Sequence, residues 1–493
     1  MLLMMIGCRK ESDNVVSYAF NDNMAFGEAY RSFAKKFDII WHGLNTNYAL
    51  WDFEKENGVD WDAIYDEFRP RFAALDEKES VTDNELEELL EDLVAPLHDG
   101  HLEVYIVNHH TGKTVDAWPG ETRVKRERGQ EYAVAEKFIP SLQYYAAKSQ
   151  LLEYAESSNA LATALYNSQL YVTNKLETET DPSLRKIYTE MDKDLKEAVN
   201  AANQDDANRC LELYNDAVLR YEYMNVPDLV YVEPKLLEYP VIMKYALFEG
   251  NIAYLSLNSF NLSTYLGKEF RDQTFINPTA HTKQVVNQVI NTWKAWFDAI
   301  QTHHEAGDLG GVIIDMRSNS GGMISDFQFV AGALMPSGGM HTTNARFKRG
   351  SGRYDYSPIM PQYAQTMKTE HAVITEPIVV LCNCSTISMG EHTTLGIKLL
   401  ENGRVIGTRT WGGLCALNSN DTYSQNYSGH VGIKDVTPVY CYVPQELAYT
   451  LDGEILEGYG VTPDIEVPFN AAAWNNGNGP DNQLDRALQE IKK

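Results

Sequence analysis

Residues 377–408 read PIVVLCNCSTISMGEHTTLGIKLLENGRVIGT. An apolar run is followed by small hydroxyl residues, then by a helical pattern that begins at Ser388, and then by a second apolar run, RVIGT. A strand, a helix and a second strand in this order are typical of the crossover unit of a parallel β-sheet. Upstream, the runs GNIAYLSLNSF (250–260) and GGVIIDM (310–316) flank a long helical pattern and repeat the alternation. Near-continuous apolar strands are typical of a parallel sheet that is covered on both faces, so the sequence predicts an α/β core over about residues 236–470.

The segments around this core follow other patterns. Residues 25–98 place apolar side chains at spacings of three and four, which predicts a helical N-terminal domain. Residues 99–132 change to alternation around a polar turn, which predicts a region built on a β-hairpin. Residues 133–235 return to helical spacing and predict a helical insert, and residues 471–493 are interpreted as a C-terminal tail.

Composition limits the function classes. The chain has 493 residues, a hydrophobic fraction of 44% and a formal net charge of −27. The apolar content argues against disorder, and the acidic excess argues against a nucleic-acid partner because phosphate binding needs a cationic surface. The six cysteines contain no CxxC pair, so neither a zinc site nor a disulfide framework is predicted.

The N-terminal residues MLLMMIGC are apolar and end at Cys8, directly before the polar run RKESDN. This arrangement resembles the end of a bacterial lipoprotein signal peptide, in which the cysteine is lipidated. The segment is short and has no cationic region before it, so either the protein begins further upstream or the match is by chance. We expect a signal remnant and linker over residues 1–24, a lipidated Cys8, and a lipid-anchored protein of the bacterial cell envelope, periplasmic or surface-exposed. Membrane contact would then run only through the lipidated N-terminus.

Ser388 is a candidate nucleophile. It stands at the predicted start of a helix, where unpaired backbone N–H groups and the helix dipole favour developing negative charge. The loop after residues 310–316 ends in Gly321 and Gly322, and glycine lets a further backbone N–H approach closely. The N–H groups of Gly322 and Met389 could therefore form an oxyanion hole. The alternative is that Ser388 is only a helix N-cap, a position that serine commonly takes.

Four motifs occur in order along the chain: HDGHLEVY (98–105), GVIIDMRSNSGGM (311–323), PIVVLCNCSTISMGEHTTLGIKLLENGRVIGTRTWGG (377–413) and LEGYGVTPDIEV (456–467). Together they resemble the catalytic core of the tricorn-core and C-terminal processing peptidase family of serine proteases. The segment GVDWDAIYDEFRP (58–70) resembles the N-terminal region of its bacterial, often lipoprotein, members. The resemblance covers about residues 30–100 and 240–470. It implies a ClpP/crotonase-like α/β core, Ser388 as the nucleophile, and oxyanion donors at Gly322 and Met389.

The resemblance offers two kinds of general base. The C-terminal processing proteases use a lysine, and its position corresponds to Gly413 in TWGGL, so the Ser–Lys dyad is absent here. The tricorn-like branch uses a histidine from a DGH segment and a glutamate from an EGxGVxPD segment, which correspond to His101 and Glu457. The resemblance thus implies His101 as the base and Glu457 as the group that orients it. Tricorn has a serine before its histidine where this chain has Gly100, so Glu457 contacts His101 directly, through a water, or not at all.

The implied activity is that of a serine endopeptidase that hydrolyses peptide bonds of proteins through an acyl-enzyme, with a protein or peptide substrate and no cofactor or metal. Residues 133–235 stand where family members often have a PDZ domain, and their helical pattern predicts none. A tail-specific processing role is therefore not implied. The alternative is a catalytically inactive peptide- or ligand-binding surface lipoprotein on the same scaffold, because the lysine and the serine before His101 are both missing. The oligomeric state stays open.

Overall fold

A computed structural model describes residues 29–145, 149–155, 172–173, 176–177, 180, 182–203, 241–268, 280–350, 352–415, 430–432 and 437–493. This part of the chain forms a mixed α/β fold with three sheets, which confirms the predicted fold class. Cys8 and the linker that follows it lie outside the described residues. None of the described helices is both long and apolar enough to cross a bilayer.

Helices and strands are numbered here in chain order. The N-terminal part contains α1 (Phe33–Asn47), α2 (Trp51–Glu56), α3 (Trp61–Asp76), α4 (Asp83–Val94), β1 (Glu103–Val107), β2 (Thr114–Ala117) and α5 (Pro119–Ala135). The middle part contains β3 (Ser149–Ala155), α6 (Pro182–Asn203), β4 (Met243–Phe248), β5 (Ile252–Leu257), α7 (Leu262–Leu266), α8 (Ala280–Ala306) and β6 (Gly311–Asp315). The C-terminal part contains β7 (Met340–Phe347), β8 (Met360–Ala364), β9 (Ile378–Cys382), α9 (Met389–Lys398), β10 (Gly403–Gly407), β11 (His430–Val431), β12 (Val439–Tyr442), β13 (Glu446–Tyr449), β14 (Ile465–Glu466), α10 (Ala471–Trp474) and α11 (Asn482–Ile491).

The N-terminal helices begin at side-chain caps and pack around aromatic residues. The side chains of Ser32, Asp60 and Thr82 accept backbone N–H groups at the starts of α1, α3 and α4, which satisfies donors that have no partner inside the helix. The buried aromatic residues of this core are Phe33, Phe37, Tyr48, Trp51, Trp61, Phe68 and Phe72. The same core includes Val104 of β1 and Cys441 of β12, so the helical region and a small sheet are one packing unit.

That small sheet is antiparallel and has the order β11–β12–β1–β2. The hairpin β1–β2 follows the predicted pattern, and β1 also pairs with β12, with Val104 opposite Cys441. The pairing brings the segment that contains His101 next to a part of the chain that is distant in sequence. The structure differs from the sequence prediction after β2, because α5 begins at Pro119, a residue whose fixed φ suits the first helical position.

The large sheet has the order β14–β10–β9–β6–β5–β4–β3. Strands β14, β10, β9, β6 and β5 are parallel neighbours, and β4 and β3 extend the sheet antiparallel. Every residue of β5, β6 and β9 is buried. Helices α8 and α9 contribute to the core on one face of this sheet and α11 to a separate core on the other, as the apolar strands predict.

Two boundaries differ from the sequence prediction. The segment 149–155, expected to be helical, is the edge strand β3, because the open edge of β4 accepts its backbone hydrogen bonds. Helix α6 is the longest described element of the predicted insert, and residues 204–240 lie outside the described residues. The predicted C-terminal tail contains α11, which buries Leu484, Ala487 and Ile491 against the large sheet through a helical spacing of apolar residues.

Candidate active site

Ser388 lies in the turn between β9 and α9 with a backbone that a helix cap does not require. Its φ is 57° and its ψ is −119°, whereas ordinary N-caps have extended backbone with negative φ. Positive φ is costly for a residue with a side chain and persists only where the surroundings impose it. The Ser388 N–H donates to the carbonyl oxygen of Gly413 at 3.1 Å and to Oε2 of Glu391 at 3.2 Å. These contacts hold the serine in a strained turn, which favours the nucleophile over the simple cap.

The glycine loop after β6 lies directly against this serine. A Cβ on Gly321 would stand 2.5 Å from the Cβ of Ser388 and 3.1 Å from the nitrogen of Met389, so only glycine fits there. The φ of Gly321 is 81°, which also favours glycine. Asn319 fixes the loop, because its Oδ1 accepts the Gly321 N–H at 2.9 Å and its Nδ2 donates to the Leu257 carbonyl at 2.8 Å.

The two predicted oxyanion donors are available. Within the part of the chain that the structure describes, the N–H groups of Gly322 and Met389 have no hydrogen-bond acceptor. Gly322 is exposed, and Met389 is the first residue of α9, where backbone donors are unpaired and the helix dipole is positive. Since Gly321 touches both Ser388 and Met389, the glycine loop and the start of the helix lie on the same side of the serine.

His101 is partly buried and lies just before β1. Oδ1 of Asp99 accepts the N–H of His101 at 2.6 Å and that of Leu102 at 2.8 Å, which fixes the backbone from which the imidazole extends. The Cε1 atom of His101 lies 3.3 Å from the point that a Cβ of Gly413 would occupy, and Gly413 is the residue that accepts the Ser388 N–H. The structure therefore brings His101 and Ser388 to the same glycine.

The imidazole is held in its neutral form. Burial lowers the pKa of His101 to about 3, and the nearby His392 contributes in the same direction. A neutral imidazole is the form that accepts a proton. The Nδ1 atom is buried and has no hydrogen-bond partner among the described residues.

Glu457 occupies a different role from the one that the resemblance implies. Its carboxylate is buried, and Oε1 accepts the Gly100 N–H at 2.6 Å. Oε2 accepts the N–H groups of Leu414 and Cys415 at 2.7 and 2.8 Å. The described contacts of the carboxylate include no hydrogen bond to the imidazole, so Glu457 fixes the backbone beside His101 and does not hold the ring directly. Burial and, next, the neighbouring Asp99 carboxylate raise the pKa of Glu457.

The absence of a serine before His101 has a steric reason. A Cβ on Gly100 would stand 2.4 Å from the Gly412 carbonyl oxygen and 2.6 Å from the Gly413 Cα. The Gly100 carbonyl also accepts from the indole Nε1 of Trp411 at 3.1 Å. The backbones of the two segments are in direct contact, and Glu457 accepts the Gly100 N–H.

Two site residues escaped the sequence analysis. Glu391 is fully buried, and its carboxylate contacts Ser388 and the segment 410–413. Its spacing of three residues after Ser388 is that of a capping box, a signal that could have identified it. Asp99 is also fully buried and anchors the His101 backbone. An aspartate four residues before a strand is a common turn residue, so its pattern alone does not indicate a site.

Comparison with known proteins identifies a family match for part of the chain. Residues 251–467 match the sequence profile described as "Peptidase family S41". The tricorn protease of Thermoplasma acidophilum is 24% identical over 184 residues, which is 37% of this chain and 14% of that protein. The carboxy-terminal-processing protease of Bartonella bacilliformis is 23% identical over 219 residues, which is 44% of this chain and 39% of that protein. This chain thus spans less than half the length of these curated relatives.

A solved structure from Parabacteroides merdae has the same fold. It superimposes with a TM-score of 0.50 at 16% sequence identity and covers 93% of this chain and 96% of its own. At that level of identity the likeness concerns the fold alone. Residues 251–467, which contain three of the four motifs, thus match peptidase family S41, and the match agrees with the resemblance of this part of the chain.

Proposed function

We propose that the protein is a serine endopeptidase in which Ser388 is the nucleophile and His101 the general base. The observation that carries this proposal is the turn at Ser388, whose strained backbone lies between the unpaired N–H of Met389 and the glycine that contacts His101. Strain of this kind at a strand-to-helix turn needs a reason, and exposure of a nucleophile is a known one.

The proposed reaction follows from these positions. His101 takes the proton of the Ser388 hydroxyl while Oγ attacks the carbonyl carbon of the scissile peptide bond. The negative oxygen of the tetrahedral intermediate accepts hydrogen bonds from the N–H groups of Gly322 and Met389. The imidazolium returns its proton to the leaving amine, which departs and leaves an acyl-enzyme. A water, deprotonated by His101, then attacks the ester and releases the new carboxylic acid.

The proposed substrate is a protein or peptide, and the proposed location is the bacterial cell envelope, with a lipid anchor at Cys8. The match of residues 251–467 to peptidase family S41 supports the substrate class. The location rests only on the sequence around Cys8.

Labelling by a fluorophosphonate probe tests the activity. We expect wild-type protein to be labelled, and Ser388→Ala and His101→Ala to lose the label. Ser385→Ala is the matched control, because Ser385 lies three residues earlier on the same loop and should leave labelling unchanged.

Absence of label in folded wild-type protein would favour the alternative of a catalytically inactive binding protein. The unpartnered Nδ1 of His101 is the observation that keeps this alternative open. Label that persists in Ser388→Ala would show that another residue is the nucleophile. Mass spectrometry of the labelled peptide identifies it.

A further inference from the structure

Glu391 makes more hydrogen bonds than a capping box requires. It is fully buried in the first turn of α9, and its Oε2 accepts the Ser388 N–H at 3.2 Å. The same oxygen accepts the Gly413 N–H at 2.7 Å, and Oε1 accepts the Gly412 N–H at 2.8 Å and the Thr410 hydroxyl at 2.5 Å. One carboxylate therefore joins the nucleophile's turn to the segment 410–413.

That segment continues to the histidine. Gly412 and Gly413 pack against Gly100, and a Cβ on Gly413 would contact the ring of His101. Immediately beyond it, the N–H groups of Leu414 and Cys415 donate to Glu457, whose other oxygen accepts the Gly100 N–H. The backbones of Ser388 and His101 are thus connected through two buried carboxylates and the loop between them.

A buried carboxylate is a costly way to hold a loop. Burial raises the pKa of Glu391, and the four donors act in the opposite direction by stabilising its charged form. Hydrogen bonds to a buried charge are stronger than those between neutral groups, and loss of the acceptor leaves buried N–H groups unsatisfied. The cost is reasonable where a backbone position must be fixed accurately, as between a nucleophile and its base.

We propose that Glu391 is a positioning residue, which sets the distance between Ser388 and His101 by holding the loop 410–415 against the nucleophile's turn. This inference rests on the proposed function of Ser388 and His101. It predicts that removal of the carboxylate loosens the contact between nucleophile and base while the fold persists.

The test measures this contact without any peptidase activity. In the variant Ser388→Cys, the rate of iodoacetamide alkylation of the new thiol is followed against pH, and mass spectrometry assigns the alkylated peptide. A thiolate at a helix start is stabilised when a neighbouring imidazole takes up the thiol proton and pairs with it as imidazolium, so the thiol pKa is lowered. Adding His101→Ala should raise the thiol pKa by about one unit or more. Adding Glu391→Gln should also raise it; the loss of a nearby negative charge by itself lowers a thiol pKa, so a rise reports lost contact with the imidazole.

Two further variants complete the experiment. Asp464→Asn is the matched control, because Asp464 accepts the Val405 N–H and binds Lys398 at the opposite end of α9, and it should leave the thiol pKa unchanged. Glu391→Asp keeps the charge but shortens its reach, so it should also raise the thiol pKa. It serves as the test variant if Glu391→Gln does not fold.

The outcomes distinguish the positioning role of Glu391 from the pairing of Ser388 with His101. If His101→Ala shifts the thiol pKa and neither Glu391 variant does, the positioning role is wrong and the proposed base stands. If His101→Ala leaves the thiol pKa unchanged, the proposed pairing of Ser388 with His101 fails, and the positioning role fails with it.

Discussion

The surroundings of Ser388 and of His101 are built in opposite ways. Ser388 is held by a residue of its own helix, Glu391, and its backbone is strained, with φ at 57°. The backbone at His101 is held by two buried carboxylates. Asp99, two residues earlier, accepts the His101 N–H, and Glu457, distant in sequence, accepts the Gly100 N–H. The geometry of the proposed nucleophile therefore comes largely from a local motif, whereas the proposed base reaches its place through tertiary packing.

The difference has an energetic consequence. At Ser388 the cost is backbone strain, which neighbouring glycines accommodate because they leave room for the turn. At His101 the cost is electrostatic. Burial raises the pKa of Asp99 and of Glu457, repulsion from Asp99 adds to the rise at Glu457, and burial disfavours the charged imidazole. Changes on the serine side should therefore act mainly on reactivity, and changes on the histidine side should also act on the pH dependence of stability.

The largest expected effect is on the serine side. In Gly321→Ala the new Cβ would stand 2.5 Å from the Cβ of Ser388, so either the serine or the glycine loop must move. We expect the fluorophosphonate labelling rate to fall about 100-fold or more, as for loss of an oxyanion-hole donor. Gly338→Ala is the matched control, because Gly338 also has positive φ but nothing lies within 4 Å of its added Cβ. Equal losses in both variants would contradict a steric role for Gly321.

The next effect is on the histidine side. In Glu457→Gln one oxygen becomes an amide NH₂, which would face a backbone N–H of Gly100 or of the loop at Leu414. We expect labelling to slow about 10- to 100-fold, because the histidine segment and the loop lose their common acceptor. The exposed Glu454, close by in sequence, provides the control Glu454→Gln. An unchanged rate in Glu457→Gln would show that the carboxylate charge is dispensable for positioning.

A third effect concerns stability in acid. The folded-state pKa of His101, about 3, lies below the ordinary value near 6.5, so below pH 6.5 the unfolded chain binds a proton that the folded chain does not. His101 therefore costs stability as the pH falls from 6.5 towards 3. Between pH 8 and pH 5, urea unfolding should show His101→Asn gaining about 1–2 kcal/mol relative to wild type, after allowance for solvent screening. A difference that is constant with pH would contradict burial of a neutral imidazole.

The sequence predicted those parts of the molecule in which local pattern and tertiary environment agree. The strands at 311–315 and 378–382 are buried along their whole length, so an apolar run was a sufficient signal. Strand β7 has no such run, because its residues alternate irregularly between buried and partly buried positions, and its pairing with β13 and β8 defines it. Strand β3 likewise depends on the open edge of β4.

The site residues also differ in how far local sequence patterns predict them. Ser388 and the loop that contains Gly321 and Gly322 follow strands that the apolar runs predicted. The pairing of Ser388 with His101 was predicted only through the family resemblance of four motifs in order. The contacts of Glu457 could not be predicted, because its partners are the backbone N–H groups of Gly100, Leu414 and Cys415. A backbone donor looks the same at every residue, so only the fold shows which ones a carboxylate reaches.

The smallest effect tests the electrostatic cost on the histidine side. Burial, together with nearby carboxylates, raises the pKa of Asp99, so the folded chain holds a proton in a pH range where the unfolded chain has lost it. This carboxyl group therefore makes folding less favourable as the pH rises from about 4, the ordinary value. In Asp99→Asn the Oδ1 acceptor for His101 and Leu102 remains, while the amide replaces Oδ2, which has no described partner.

Relative to wild type, Asp99→Asn should therefore gain about 0.5–1 kcal/mol between pH 5 and pH 8, opposite in direction to the histidine variant. The double variant Asp99→Asn/Glu457→Gln should show a further, less than additive gain with pH, because burial still raises the pKa of Glu457 after the first change has removed the repulsion between the two carboxylates. Urea unfolding at pH 5 and at pH 8 measures the free energy of unfolding of wild type and of each variant. If Asp99→Asn instead loses stability at pH 8, the charge of Asp99 itself holds the His101 backbone, and the two sides of the site would resemble each other in relying on an ionised carboxylate.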